Sequence, residues 1–309
     1  MAANSFKEIT RSLRLYVPQL PITLAEQFIR DRYRRILERR DWSALRREAE
    51  FILNAEKKDG TVAVTRSNAT VAGTSTSFAS TDVGRQFKSG TNNPIYTITA
   101  VASATSMTLD RVFGGTTASG QTYRIFDGYV TAPTDFLRFV TIVDPSQGWR
   151  LRHWVTSAEL DAMDPQRNYF GHPYLLADRL FDHATAGSAD PRPQFEAWPF
   201  TTAARTLYYT YLRRGADLVN DNDIPIWPIR SDAIVAGALA DVARWPGTAD
   251  TPNPYFAHPR FWQAYEMEYE DKMLEIERRD EDVYMTMMQQ WPYTDAMRVA
   301  PISASWLQS

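Results

Sequence analysis

The chain has 309 residues, 44% of them hydrophobic and 23% charged, with a formal net charge of −3 and no cysteine. This is the profile of an ordinary globular protein long enough for two domains, and it excludes a polycation built to wrap nucleic acid. The missing thiols exclude a disulfide framework, thiolate zinc sites and a cysteine nucleophile, and they fit folding in a reducing cytoplasm.

At the N-terminus no basic region precedes an apolar core, so no leader peptide is read there. No apolar run is long enough to span a bilayer. The sequon Asn68-Ala69-Thr70 is therefore expected to carry no sugar. The first segment, FKEITRSLRLYVPQLP, is short and amphipathic, and Pro18 and Pro21 stop it. Thr23 and Glu26 have the spacing of a capping box. The run after them places Leu24, Phe28, Ile29, Ile36 and Leu37 on one helical face. Asp41 reads as a second cap, opening a further helix over DWSALRREAEFIL.

At Asp59-Gly60 the period changes from helical to alternating. TVAV, ATVAG, PIYTITAV, SMTLD and QTYRIF are short runs of Val, Ile, Thr and Tyr separated by Gly, Ser, Asn and Asp. They predict a small barrel or sandwich, with a hairpin turning at Ser67-Asn68. Beyond Gly128 the reading is mixed. YVTAPTDFLRFVTIVDP suggests one or two strands. WRLRHWVTSAELDAMD suggests a strand leading into a short helix capped by Thr156 or Ser157, with Glu159 near. QFEAWPF and RTLYYTYLRR alternate aromatic and polar residues and read as a strand pair. SDAIVAGALADVARW predicts a helix buried on most sides. A last long helix starts near Pro259, with Phe261, Tyr265, Met273, Leu274 and Ile276 facing inward, and the remaining tail has little period.

Together these elements predict an α+β fold, a helical bundle made by the N- and C-terminal helices with a small all-β domain inserted. The expected divisions are an N-terminal helical segment at 1–58, the β-domain at 59–127, a mixed α/β region at 128–290 completing the helical core, and an extended arm at 291–309.

Chemistry is sparse. The four histidines, His153, His172, His183 and His258, never recur at i, i+4, and no HExxH is present. Asp182-His183 has no GxSxG serine to serve. The Gly-rich FGGTTASG joins two strands and lacks the helix N-terminus that holds a phosphate. No catalytic residue, cofactor or metal is predicted. Carboxylate pairs for glycoside hydrolysis stay open, because spatial separation cannot be read from sequence. A sugar-binding surface on the β-segment would need exposed aromatics, and the segment offers Tyr96 and Tyr123 with no Trp.

Charge is more informative. The first long helix is rich in arginine, whereas Glu266–Asp282 holds nine acids against three bases. These faces are either solvated, or packed on each other within one chain, or matched between neighbouring subunits, or, for the arginines, set against nucleic acid. The subunit-interface candidates are Arg34, Arg35, Arg39, Arg40, Arg46, Arg47, Glu270, Asp271, Glu277 and Glu281.

The order of LPITLAEQFIRDRYRRILERRDWSALRREAEF, GTVAVTRSNATVAGTSTSFASTDVGRQF, NPIYTITAVASATSMTLDRVFGGTTASGQTYRIF, YVTAPTDFLRFVTIVDP and AIVAGALADVARWPGT resembles the head-to-tail adaptor (neck or connector) proteins of tailed bacteriophages. The resemblance implies a structural virion protein and no enzyme. It implies a homo-oligomeric ring, usually of twelve subunits, below the portal protein and above tail or nozzle proteins, with genomic DNA passing through the channel without sequence-specific binding. The C-terminal tail would dock on the portal as an arm anchored by Trp291, Tyr293, Trp306 and Leu307; an unstructured end is the other reading. The acidic helix face could instead line the channel. A virion-associated cell-wall hydrolase is the alternative function.

Overall fold

A computed structural model describes residues 4–91, 93–182, 192–247, 249, 252–253, 255–256 and 259–290. In chain order these form helices α1 (Phe6–Tyr16) and α2 (Ile22–Arg39). Strands β1 (Arg46–Leu53), β2 (Thr61–Val64), β3 (Thr70–Thr74), β4 (Gln86–Ser89), β5 (Tyr96–Ser103), β6 (Ser106–Leu109), β7 (Ala118–Gln121) and β8 (Tyr123–Phe126) follow. Next come β9 (Tyr129–Thr131), β10 (Phe136–Asp144), β11 (Trp149–Arg150), β12 (Arg152–Val155), α3 (Ser157–Met163), β13 (Phe170–Gly171), β14 (Leu175–Asp182), β15 (Arg192–Trp198), β16 (Phe200–Thr201) and β17 (Arg205–Arg213). Helices α4 (Ser231–Val242) and α5 (Pro259–Gln290) close the described chain.

With seventeen strands and five helices among the described residues, the fold is mainly β. The expected helical bundle with a small β insertion is therefore corrected. The stretch read as mixed supplies β9 to β17. The helix expected from Asp41 is a short 3-10 turn, Ser43–Leu45, followed by β1. The reason lies in its apolar residues. Ala49, Phe51 and Leu53 alternate and bury one face at period two, so the charged RREAE run never had a helical stripe to pack.

The chain divides into two compact units, residues 4–46 with 212–290 and residues 47–211 within the described chain. In the helical unit α4 is central. It is so rich in Ala and Gly that α1, α2 and α5 all pack against it. Helix α1 starts on a Ser5–Glu8 capping box and buries Phe6, Ile9 and Leu13. Helix α2 starts two residues earlier than its sequence suggests, after Pro21, and Thr23 does not cap it. Behind α2, Trp42 is fully buried and its Nε1 donates to the Ile36 carbonyl at 2.9 Å. This bond satisfies the indole donor and turns the chain out of the helix.

The other unit holds two β bodies. Seven strands in the order β7-β2-β3-β6-β5-β4-β8 surround a core of Val62, Val71, Phe87, Ile98, Met107 and Ile125. Its two outermost strands, β7 and β8, are separated in sequence by Thr122 alone, so the sheet has to curl until its edges come together. The hairpin of β2 and β3 turns through Ser67, whose φ is +63°. Of the remaining strands, β13 and β16 pair with each other and the others form sheets β1-β17-β10-β11 and β12-β14-β15-β9. Their facing side chains make one aromatic core. Phe139 and Phe136 from the first sheet meet Phe195 from the second at 4.7 and 5.6 Å between ring centroids, as in a sandwich. The expected pairing of QFEAWPF with RTLYYTYLRR does not form, since β15 pairs with β14 and β9 while β17 lies in the facing sheet. Of the two caps read for helix α3, Thr156 and Ser157, the helix uses Thr156, in a capping box with Glu159.

Candidate functional site

The charged helices meet within one chain. Arg34 forks onto Asp217 at 2.8 and 2.6 Å and holds that carboxyl below its ordinary range. Arg39 reaches Glu270 at 2.8 Å and Glu277 at 2.7 Å, and Arg40 reaches Glu281 at 3.3 Å and the Glu277 carbonyl at 3.2 Å. Arg35 lies 3.4 Å from Asp241. At the centre sits Arg32, buried, with Nη2 2.9 Å from Asp241 and 3.2 Å from Glu266, and its guanidinium stacked on Tyr269. The candidates Arg34, Arg35, Arg39, Arg40, Glu270, Glu277 and Glu281 thus have ion-pair partners inside the protomer. Arg46 and Arg47 open β1, and Asp271 stands exposed on α5. Trp291, Tyr293, Trp306 and Leu307 lie outside the described residues.

A second buried cluster anchors the curled sheet. Arg85 donates through Nε to Asp127 at 2.7 Å, through Nη1 to Asp82 at 3.1 Å and through Nη2 to the Ala55 carbonyl at 2.7 Å. Asp82 has no exposed side-chain surface and also accepts from Lys57 Nζ at 2.8 Å and the Ala79 N–H at 2.9 Å. Burial alone would raise its pKa, but the bonds from Lys57, Ala79 and Arg85 hold it below the ordinary carboxylate value. The stability this carboxylate contributes is therefore fully present above the unfolded value of about 3.9 and is lost as pH falls through the lower folded value. In urea titrations, Asp82→Asn should lower the midpoint at pH 7 and flatten the fall in midpoint below about pH 4. An acid limb as steep as that of the parent chain would refute the assignment.

Sequence reasoning did not single out Arg85 or Lys88. The strand β4 that follows Arg85 buries every residue, polar ones included. Its only signal was a set of polar residues around Phe87 with no exposed face to serve. Lys88 is buried and its ammonium meets the Gln166 carbonyl, the Arg167 carbonyl at 3.2 Å and Asn168 Oδ1 at 2.5 Å. Burial lowers its pKa. It borders a depression of about 400 Å³ with Lys58 and Arg124. Those two cations are both answered by Glu56 at 2.8 Å, and all three Lys88 donors are used, so the arrangement holds a loop.

Several other titratable groups are engaged by neighbours or by burial. Ser146 Oγ donates to Asp144 at 2.5 Å, and Asp144 also takes Arg205 at 3.0 Å, while His172 contacts Arg205 and not the serine. His153 packs edge-on against Phe139, and burial lowers its pKa. His183 and His258 lie outside the described residues. Glu196, whose pKa burial raises, pairs with Arg167 at 2.7 Å. Tyr96 and Tyr123 are both buried, so neither offers a face to a sugar. Among the described residues, no group of three or more His, Asp or Glu could hold a metal ion, and no helix is long and apolar enough to cross a membrane.

The fold also leaves several large apolar side chains outside. On the helical unit Leu15 is 74% exposed, Met267 69%, Ile22 52% and Leu274 48%. Leu274 was expected inside. The buried stripe of α5 instead runs through Tyr269, Met273, Ile276 and Asp280, and this phase turns Leu274 outward. The chain matches no known family model and no curated protein.

Proposed function

We propose that the chain is a non-enzymatic structural adaptor of a tailed-phage virion, acting as a ring below the portal that joins capsid to tail and continues the DNA channel. One observation carries this reading. The helical unit commits Arg32, Arg39 and their carboxylate partners to internal clamps while large apolar side chains, Leu15 and Met267 foremost, stand in solvent on its helices. A subunit whose helices are clamped by internal ion pairs and which exposes large apolar side chains is suited to assembly, because apolar side chains grouped on a surface are common anchors of protein contacts. The order of segments, with helical ends around a β-rich middle, is the second support, through the resemblance to phage adaptors. Negative-stain imaging of the purified protein, alone and mixed with its portal, tests the reading. Rings are expected in at least the mixed sample. Single subunits in both would overturn it.

A further inference from the structure

The exposed apolar side chains of the helical unit fall into two groups, and charge distinguishes them. The first group edges a groove of about 490 Å³ between α1 and the start of α2, where Leu15, Pro18 and Ile22 stand beside Arg11 and Arg14. Two other charges there are answered locally, Lys7 by Asp221 at 3.1 Å and Glu26 by Arg30 at 3.6 Å. Arg11 is exposed, and Arg14 is half-buried with its Nε donating to the Leu20 carbonyl at 3.1 Å. The groove therefore presents an apolar rim with a surplus of positive charge.

The second group is on the solvent face of α5. Met267, Asp271 and Leu274 follow at i, i+4 and i+7 and share one stripe. The exposed positions from Met267 to Asp282 carry five acids, Glu268, Asp271, Glu275, Glu281 and Asp282, against Arg278 and Arg279. Glu268 is answered by Lys272 at 2.6 Å, Glu275 by Arg230 at 3.0 Å and Glu281 by Arg40 at 3.3 Å, so Asp271 is the charge that the stripe itself presents between Met267 and Leu274. The stripe is thus apolar, acidic, apolar, where the groove is apolar, basic, apolar. No residue belongs to both surfaces.

We infer that the α1–α2 groove receives the outer face of α5 from a second copy of this chain, with Asp271 against Arg11 and Arg14 and with Met267 and Leu274 against Leu15 and Ile22. The inference rests on the ring reading and names its contact. Because the two surfaces differ, the contact can repeat head to tail from copy to copy, as a closed ring requires. Charge sets the register of the two helical faces, and apolar burial supplies most of the attraction. Most of the arginines and acids read from the sequence as subunit-contact candidates are occupied inside the protomer, so the intersubunit role stays with Asp271 on one side and passes to Arg11 and Arg14 on the other.

The absence of cysteine allows a direct test. Full-length Leu15→Cys and Leu274→Cys, prepared separately, are mixed and oxidised, so any disulfide between them joins two copies. A mixed dimer is expected, with none from Leu15→Cys paired with Val112→Cys, an exposed site on the β-domain. In sedimentation equilibrium of cysteine-free chains, Arg11→Glu and Asp271→Arg should each weaken self-association at least about tenfold, since like charges set against each other across an interface are strongly disfavoured. The double variant should recover it. Circular dichroism confirms that each exposed substitution leaves the fold intact. Rings by imaging with no disulfide trapped between the Leu15→Cys and Leu274→Cys chains would overturn the contact and leave the ring standing. Loss in both single variants without recovery in the double would overturn the charge pairing. A chain that never self-associates, with or without portal, would remove the ring and this contact together.

Discussion

Replacing Arg32 with Met should destabilise the helical unit by about 3–5 kcal/mol, because it leaves two carboxylates facing a cation that is gone. Arg32 is 4% exposed and bridges Asp241 on α4 to Glu266 on α5, so one guanidinium ties three helices together. Its stem is fitted just as closely. A Cβ on Gly237 would lie 2.7 Å from Arg32 Cδ, so glycine at that point of α4 is what lets the side chain pass. The loss should be specific to unbalanced charge. Adding Asp241→Asn to Arg32→Met should return part of it, since removing both members of a buried pair is often nearly neutral. Urea unfolding followed by far-ultraviolet circular dichroism reads both effects. A single-variant loss below about 1 kcal/mol, the level of an exposed pair, would mean that Arg32 is not a clamp.

Arg85→Met should cost the β unit a comparable amount, about 3–5 kcal/mol, by the same mechanism. Here the groups that lose their shared cation are Asp82, which has no exposed surface and keeps only Lys57 and the Ala79 N–H, and Asp127, together with the Ala55 carbonyl. Arg85→Lys separates charge from geometry. Lysine keeps the positive charge but cannot aim planar donors at three acceptors in different directions, so it should recover only part of the loss. Hydrogen exchange of the amides in β4 and β8 is the local readout. Both variants should speed it, methionine more than lysine. If the lysine variant exchanges as slowly as the parent chain, charge alone suffices and the directional bonds are incidental.

Local signals were legible in the sequence wherever local chemistry decides the outcome. The β2–β3 hairpin, the Thr156–Glu159 box and the buried α4 helix each follow from a few neighbouring residues. The errors occur where distant partners decide. β1 looked helical because its charges suited a helix, yet Phe51 stacks at 4.2 Å on Tyr209, a partner from the far end of the same unit. β15 and β17 have similar patterns, and only sheet topology assigns them to facing layers. The charged surfaces show the same limit. The excess of arginine on one helix and acid on another was plain, but whether they met within a chain or between chains depended on α4 bringing α2 and α5 together. Leu274 missed its place by one position, which on a helix is a rotation of about 100°.

The curled sheet also changes how the rest of its unit folds. Lys57 and Ile125 exchange both backbone hydrogen bonds at 2.8 Å, so the chain enters and leaves the β-domain at adjacent points. Once that pair has formed, the long excursion between them shrinks, for the flanking chain, to a step of a few ångströms. The sandwich strand β1 can then find its sheet as though the excursion were a tight turn. Closing the full excursion as open coil would cost about 3 kcal/mol more, at roughly 0.6 kcal/mol for each doubling of loop length. A curled sheet that closes first would thus serve its host as a shortcut, lowering the effective contact order of the strands on either side.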